Sequence, residues 1–388
     1  MVTIWYDDRT TTTMKIGILT LPLHTNYGGI LQAYALQTVL ERMGHDVLVI
    51  QRPWRKQIVL LKYPLQILKR CISRYILGRN SSLFAETIWN KNQAVIERNT
   101  KEFIDEYIHT HQIKQISDIK ETDFDAIVVG SDQIWRPKYY RLHYKYIEDA
   151  FLSFTKKWSL KRIAYAPSFG TDEWEYNQVE TQNCGNLLQK FDAVSVREQS
   201  GIELCEKYLG RKGVQWVLDP TMLLDKEDYE HLIPQDIKSP GDLMCYVLDA
   251  NDEIKNLIAK IANDNDMTVF QAASDVDNVS LPIERRIQPP VESWLAGFRD
   301  AKLVITDSFH ACVFSILFHK PFVVLGNKNR GYSRFESLLK RFELENRLID
   351  NASQFNQSML NPLSEEVYKK LDNFRSTSTN FIAKALNC

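Results

Sequence analysis

The chain has 388 residues, with 48 basic against 49 acidic side chains and a formal net charge of -1. It is too long for one ordinary compact core and fits two domains of roughly 150 to 200 residues each. The even charge balance leaves no basic surplus of the kind that phosphate-backbone binding needs, so nucleic acid is excluded as the main partner, and no segment reaches about 18 uncharged apolar residues, which argues against a membrane span.

Residues 1–13 lack the basic-then-apolar build of a signal peptide, and Met14, directly before the first strand pattern, reads as the natural start. From there 15–20 reads as a strand, 30–43 as a helix closed by Gly44, and 46–51 as a second strand. This alternation is the one a parallel sheet requires. Between the first strand and helix, Gly28 and Gly29 offer backbone freedom and close ligand approach, while Asn26 and Tyr27 offer polar and stacking contacts. Segment 58–77 mixes leucine and isoleucine with Lys62, Lys69, Arg70 and Arg74. Such a stretch either packs on the sheet with its cations solvated or makes peripheral contact with a membrane or a lipid-linked substrate.

Residues 81–109 read as one or two helices, and 126–129 as a short buried strand ending in Gly130, Ser131 and Asp132. Asp132, Gln133 and Trp135 then bring together a carboxylate, an amide and an aromatic plane. A sugar suits this mixture, because its hydroxyls want bidentate partners and its apolar face wants a ring; a helix start capped by Asp132 is the plainer alternative. Strand 161–166, helix 182–191, strand 193–196 and helix 200–209 follow, and 214–217 leads into Asp219-Pro220-Thr221. Arg197 ends its strand, where a guanidinium grips a carboxylate or phosphate, or else pairs with Glu198 or Asp192.

After a polar connection over 225–242 the pattern restarts with strand 244–249, helix 252–262, strand 267–272, helix 291–300 and strand 303–306. Helix 309–318, strand 321–325 and helices 332–341 and 364–386 complete the chain. Thr306-Asp307-Ser308-Phe309-His310 stands where a strand hands over to a helix, a junction that exposes backbone N–H groups and side chains to a ligand. With the junction near Asn26 it implies one cleft between two lobes. His310, in the first helical turn, is placed to give or take a proton, with hydrogen bonding to nearby backbone as the alternative. Lys328 and Arg330, inside loop 326–331, and Arg334 just beyond it read as an anion clamp.

There is no G-x-G-x-x-G, Walker lysine, G-x-S-x-G elbow or zinc-ligand spacing, so no cofactor and no metal are expected. The six cysteines show no C-x-x-C spacing and read as reduced thiols of a cytoplasmic protein.

Three motifs share one likeness. Asn26-Tyr27-Gly28-Gly29 followed by Leu31-Gln32-Ala33-Tyr34-Ala35-Leu36-Gln37, then Gly130-Ser131-Asp132-Gln133-Ile134-Trp135, then Thr306-Asp307-Ser308-Phe309-His310 together resemble the polysaccharide pyruvyl transferases. Ala164-Tyr165-Ala166-Pro167-Ser168-Phe169-Gly170, Ser195-Val196-Arg197-Glu198, Asp219-Pro220-Thr221 and Gly331-Tyr332-Ser333-Arg334-Phe335 support it, over residues 15–339.

The resemblance implies an α/β, GT-B-like fold of two Rossmann-like lobes facing a central cleft. The acceptor-side lobe would span 14–225 and the donor-side lobe 226–345, with a helical tail, 346–388, packing back on them. It implies phosphoenolpyruvate as donor and, as acceptor, a sugar diol on a capsule or exopolysaccharide or on a lipid-linked oligosaccharide at the inner face of the membrane. The family motif before the helix reads Ser-x-Arg-Leu-His; here the histidine is His310, the arginine position is Ser308 and the leucine position is Phe309. Carried over, His310 and Asp132 are the catalytic candidates. Arg197, Ser308, Lys328, Arg330 and Arg334 would bind the donor, and Asn26, Tyr27, Gly28, Gly29, Gln133 and Trp135 the acceptor. Two alternatives stay open: a nucleotide-sugar glycosyltransferase on the same fold, and a non-catalytic glycan-binding homologue, which Ser308 in the arginine position would fit.

Overall fold

The computed structural model describes residues 12–53, 55, 63–72, 84–248, 251–326 and 331–387. The first lobe is built on β1 (Lys15–Leu19), β2 (Asp46–Gln51), β3 (Thr110–Gln112), β4 (Ala126–Val129), β5 (Lys161–Ala164), β6 (Ala193–Val196) and β7 (Gln215–Trp216). The second is built on β8 (Leu243–Tyr246), β9 (Val269–Gln271), β10 (Leu303–Thr306), β11 (Phe322–Leu325) and β12 (Leu348–Ile349). Every strand pairing is parallel. Helices cover both faces of such sheets, which is why the central strands read as unbroken apolar runs such as Ala126–Val129 and Leu303–Thr306, buried at every residue.

The strand orders place the sites. The first sheet runs β3-β2-β1-β4-β5-β6-β7 and the second β12-β11-β10-β8-β9. Each order reverses direction once, between β1 and β4 in the first sheet and between β8 and β10 in the second. At such a reversal the loops leaving the strand ends diverge and open a crevice. The lobes are in contact: one apolar cluster runs from Ile16, Ile30 and Leu36 of the first to Trp294, Phe314 and Phe322 of the second.

The helix Glu365–Asn387 lies against the first lobe. Ser378 Oγ accepts from Leu218 N at 3.0 Å, and Arg375 donates to the carbonyls of Met222 and Leu224 at 2.9 and 3.1 Å.

Several elements differ from the pattern-based expectation. The first helix begins at Tyr27, so Gly28 and Gly29 lie within its first turn and not in a loop. Residues 110–112 form β3 at the sheet edge, too short to carry a period of their own. β12 pairs with β11 through Val324↔Leu348 and Leu325↔Ile349, so the second sheet continues past residue 345, where the tail was expected to begin. Asp132 caps no helix: its φ is 53° and the next helix starts at Pro137.

Candidate active site

Both sheet reversals open on one cavity of about 750 Å³ between the lobes. Its first-lobe wall is the loop after β1 and Asp132 and Gln133 after β4. The second-lobe wall is formed by residues 245–248 at the end of β8, the loop after β9, and residues 307–310 after β10, with Arg334.

His310 lies in the first turn of Phe309–Leu317, a helix buried at every residue and so fixed rigidly in the second lobe. Its Nε2 stands 3.5 Å from Asp219 Oδ2, and its side chain is only 8% exposed. The other edge of the ring packs on Gly28: a Cβ there would lie 2.0 Å from His310 Nδ1. Gly28 is therefore a glycine because of close approach, and its helical backbone needs no left-handed conformation. The first lobe thus holds the second lobe's histidine from two sides.

Asp219 is itself fixed. Its Oδ1 accepts from the backbone N and the hydroxyl of Thr221 at 3.0 and 2.7 Å, and its Oδ2 accepts from Arg197 Nη1 at 2.8 Å. Burial pushes this carboxyl up, but His310 and then Arg197 outweigh it and hold Asp219 well below the usual carboxylate range. In the sequence Asp219 entered only as part of Asp219-Pro220-Thr221, a supporting piece of the family resemblance. The signal that could have found it is a carboxylate within three residues of the end of an apolar strand-like run, the position shared by Asp132 and Asp307.

Arg197 does not line the cleft. Besides Asp219 it meets Asp132 Oδ1 at 3.4 Å and Glu198 Oε2 at 3.9 Å, with its side chain 1% exposed. Burial lowers its pKa, and Asp219, Asp132 and Glu198 outweigh that and raise it. The strand end expected to offer this arginine to a donor instead surrounds it with carboxylates, because Glu198 follows it in sequence and the ends of β4 and β7 bring the other two. Arg334, itself buried, takes the cleft-facing role. It lines the cleft, and its guanidinium stands 5.6 Å from the Phe309 ring, which Arg197 approaches to 4.4 Å. Burial, with Arg197 next, brings its pKa down to about 10, so it stays a cation at neutral pH.

Of the other expected site residues, Asn26, Gly29, Asp132, Gln133 and Ser308 line the cavity with His310. Ser308 caps the helix through its backbone position, its N donating to Thr306 Oγ1 at 2.9 Å. Trp135, expected as a stacking platform, lies in the first-lobe core, donating from Nε1 to Ala150 O at 3.1 Å and stacked on Phe151 at 4.8 Å. Tyr27 also faces away from the cavity: it stacks on Trp294 at 5.3 Å and donates to Pro289 O at 2.8 Å, so it joins the lobes. Gly28 touches His310 and not the cavity. Lys328 and Arg330 lie outside the described residues.

Two cleft residues escaped the sequence reading, His24 and His143, whose rings lie 6.1 Å apart. Burial first and then His143 lower His24 to about 3; burial first and then Arg52 lower His143 to about 4. Both are neutral at physiological pH. Bases this weak do not hold a proton there, but they can donate to and accept from hydroxyls.

Residues 26–329 match the polysaccharide pyruvyl transferase family. The chain belongs to that family. His310, Asp132, Arg197 and Asp219 all fall inside the matched region. No curated protein matches the chain significantly. Among solved structures it is similar to UDP-GlcNAc 2-epimerase from Neisseria meningitidis bound to UDP-GlcNAc, at 11% identity and TM-score 0.46 over 96% of this chain and 99% of that one. It is also similar to the trehalose-6-phosphate phosphatase N-terminal domain of Candida albicans, at 11% identity and TM-score 0.48 over 98% of each chain. Similarities this distant assign no activity to this pyruvyl transferase family member.

Proposed function

We propose that this protein transfers pyruvate from phosphoenolpyruvate to two hydroxyls of one sugar, as a cyclic ketal, during the synthesis of a capsule or exopolysaccharide. The supporting observation is the pairing of His310 with Asp219 at 3.5 Å on the wall of an interlobe cleft that also presents Arg334.

The chemistry needs a proton donor, a proton acceptor and a cation for the donor's carboxylate and phosphate. His310, oriented by the Asp219 carboxylate, protonates the methylene carbon of phosphoenolpyruvate. The first sugar hydroxyl adds to the adjacent cationic carbon while Asp132 takes its proton. Phosphate then leaves, and the second hydroxyl closes the ring, its proton going to the departing phosphate. Arg334 holds the donor anion, and Asn26, Gln133 and the neutral His24 and His143 bind acceptor hydroxyls. Arg197 is assigned a positioning role, holding Asp219 and Asp132.

The test is incubation with phosphoenolpyruvate and a panel of glycans, reading phosphate release and the mass gain of a pyruvate ketal. His310→Ala should lower turnover by about 10²- to 10⁴-fold; near wild-type turnover would end the assignment.

We also propose a cytoplasmic location with peripheral contact at the inner face of the membrane. Much of segment 58–77 lies outside the described residues, but helix Tyr63–Cys71 within it is tied to helix Ala85–Ile96 by Arg70 and Glu86 at 2.6 Å. Leu68, Ile72, Phe84 and Ile88 along these two segments are exposed. Among the described residues no helix is long and apolar enough to cross a membrane. Flotation with anionic vesicles, reduced in Leu68→Asp with Ile72→Asp, is the expected result.

A further inference from the structure

Beside the cleft lies a second chamber of about 510 Å³, and the two share wall residues, among them Pro22, Leu142 and His143. Three arginines line it, Arg52 and Arg55 from the segment after β2 and Arg286 from the second lobe; Asp277 is the one carboxylate among its described lining residues. Arg55 pairs with Glu97. The other two are held differently. Arg52 donates to the carbonyl of His143, and Arg286 donates to the carbonyl of Val276 at 2.9 and 3.0 Å.

A backbone carbonyl orients a guanidinium without cancelling its charge, so these two cations are positioned and remain electrically open. This is the converse of Arg197, whose charge three carboxylates absorb. Two oriented forks approaching from different lobes suit a planar or tetrahedral anion. Asn92 and Trp89 add an amide and an indole to the same wall, as a sugar ring beside that anion would need.

We infer that this chamber is a second subsite of the acceptor, taking a carboxylate or phosphate that the glycan carries beyond the sugar held in the cleft. The inference rests on the pyruvyl-transfer reading for the direction in which the acceptor lies, and on Arg52 and Arg286 for the chemistry. It makes the acceptor an acidic glycan or a sugar phosphate, longer than one residue.

Calorimetric titration of pyrophosphate, glucuronate and glucose into the full-length protein, without donor, tests it. With the cleft's own anion contact removed by Arg334→Gln, at least one anion should still bind ten-fold or more tightly than glucose, and adding the Arg52→Gln, Arg286→Gln double substitution should abolish that preference. Preference for pyrophosphate assigns the chamber to a phosphate, and preference for glucuronate assigns it to a uronic acid. Equal affinity for all three, or loss of the preference in Arg334→Gln alone, overturns the inference. Thermal unfolding of the double variant guards against misfolding; both side chains are partly exposed, so the transition should be unchanged. Since no step uses phosphoenolpyruvate, a protein that binds these anions but transfers no pyruvate would lose the transferase reading and keep the chamber.

Discussion

Arg197 and Arg334 approach the same ring, Phe309, and do opposite work. Arg197, from the first lobe, is enclosed by Asp132, Glu198 and Asp219, and its charge is used up inside the protein. Arg334, from the second lobe, stands on the cleft wall with its pKa brought down to about 10 by burial and by Arg197's repulsion. The difference shows that an arginine at the end of a strand is not by itself an anion site. What counts is whether the side chain faces the cleft or is enclosed by the carboxylates of neighbouring strand ends.

Breaking the enclosed side of this comparison should have the largest effect. Asp219→Asn or Arg197→Gln leaves buried charge uncompensated and should cost about 3–5 kcal/mol in urea unfolding. Asp219→Asn should also lower turnover, since His310 loses the carboxylate that orients it. Next comes Gly28→Ala, whose added methyl must displace the His310 ring. Its expected cost is about 1–3 kcal/mol, with turnover down about 100-fold from misplacement of the proposed proton donor.

The sequence made the strands visible where both sheet faces are covered, because burial on both sides leaves an unbroken apolar run. β4, β6 and β10 therefore match their expected bounds. β3 and β12, three and two residues long, were lost because their pairing partners and not their own composition make them strands. At the site, His310 and Asp132 were legible from their place at strand ends. Trp135 and Tyr27 were misassigned because an aromatic residue after a strand looks the same in sequence whether it faces a ligand or the core. His24 and His143 are over a hundred residues apart, and only the fold brings their rings together.

The cleft-facing side of the comparison is sharpened by Arg334→Gln, which should weaken phosphoenolpyruvate binding about 10- to 100-fold, the share of one charge-assisted contact. Arg334 is buried, so its replacement also costs stability, and the titration is made well below the variant's unfolding transition. The smallest effect concerns pH. His24 and His143 have folded pKa values of about 3 and about 4, below the ordinary 6.5, so the unfolded chain takes up protons first. Stability from keeping them neutral is complete above that value and is lost as pH falls from it toward 4 and then 3. Thermal unfolding across that range should show His143→Gln flattening the upper part of the slope.

In the proposed reaction, phosphoenolpyruvate binds in the cleft at Arg334 and next to His310. Calorimetric titration of phosphoenolpyruvate into wild type and Arg334→Gln, beside UDP, tests it most directly. Binding of phosphoenolpyruvate to wild type, lost in the variant, with no binding of UDP, is the predicted result. Binding of UDP without phosphoenolpyruvate would contradict the claim and assign the cleft to glycosyl transfer.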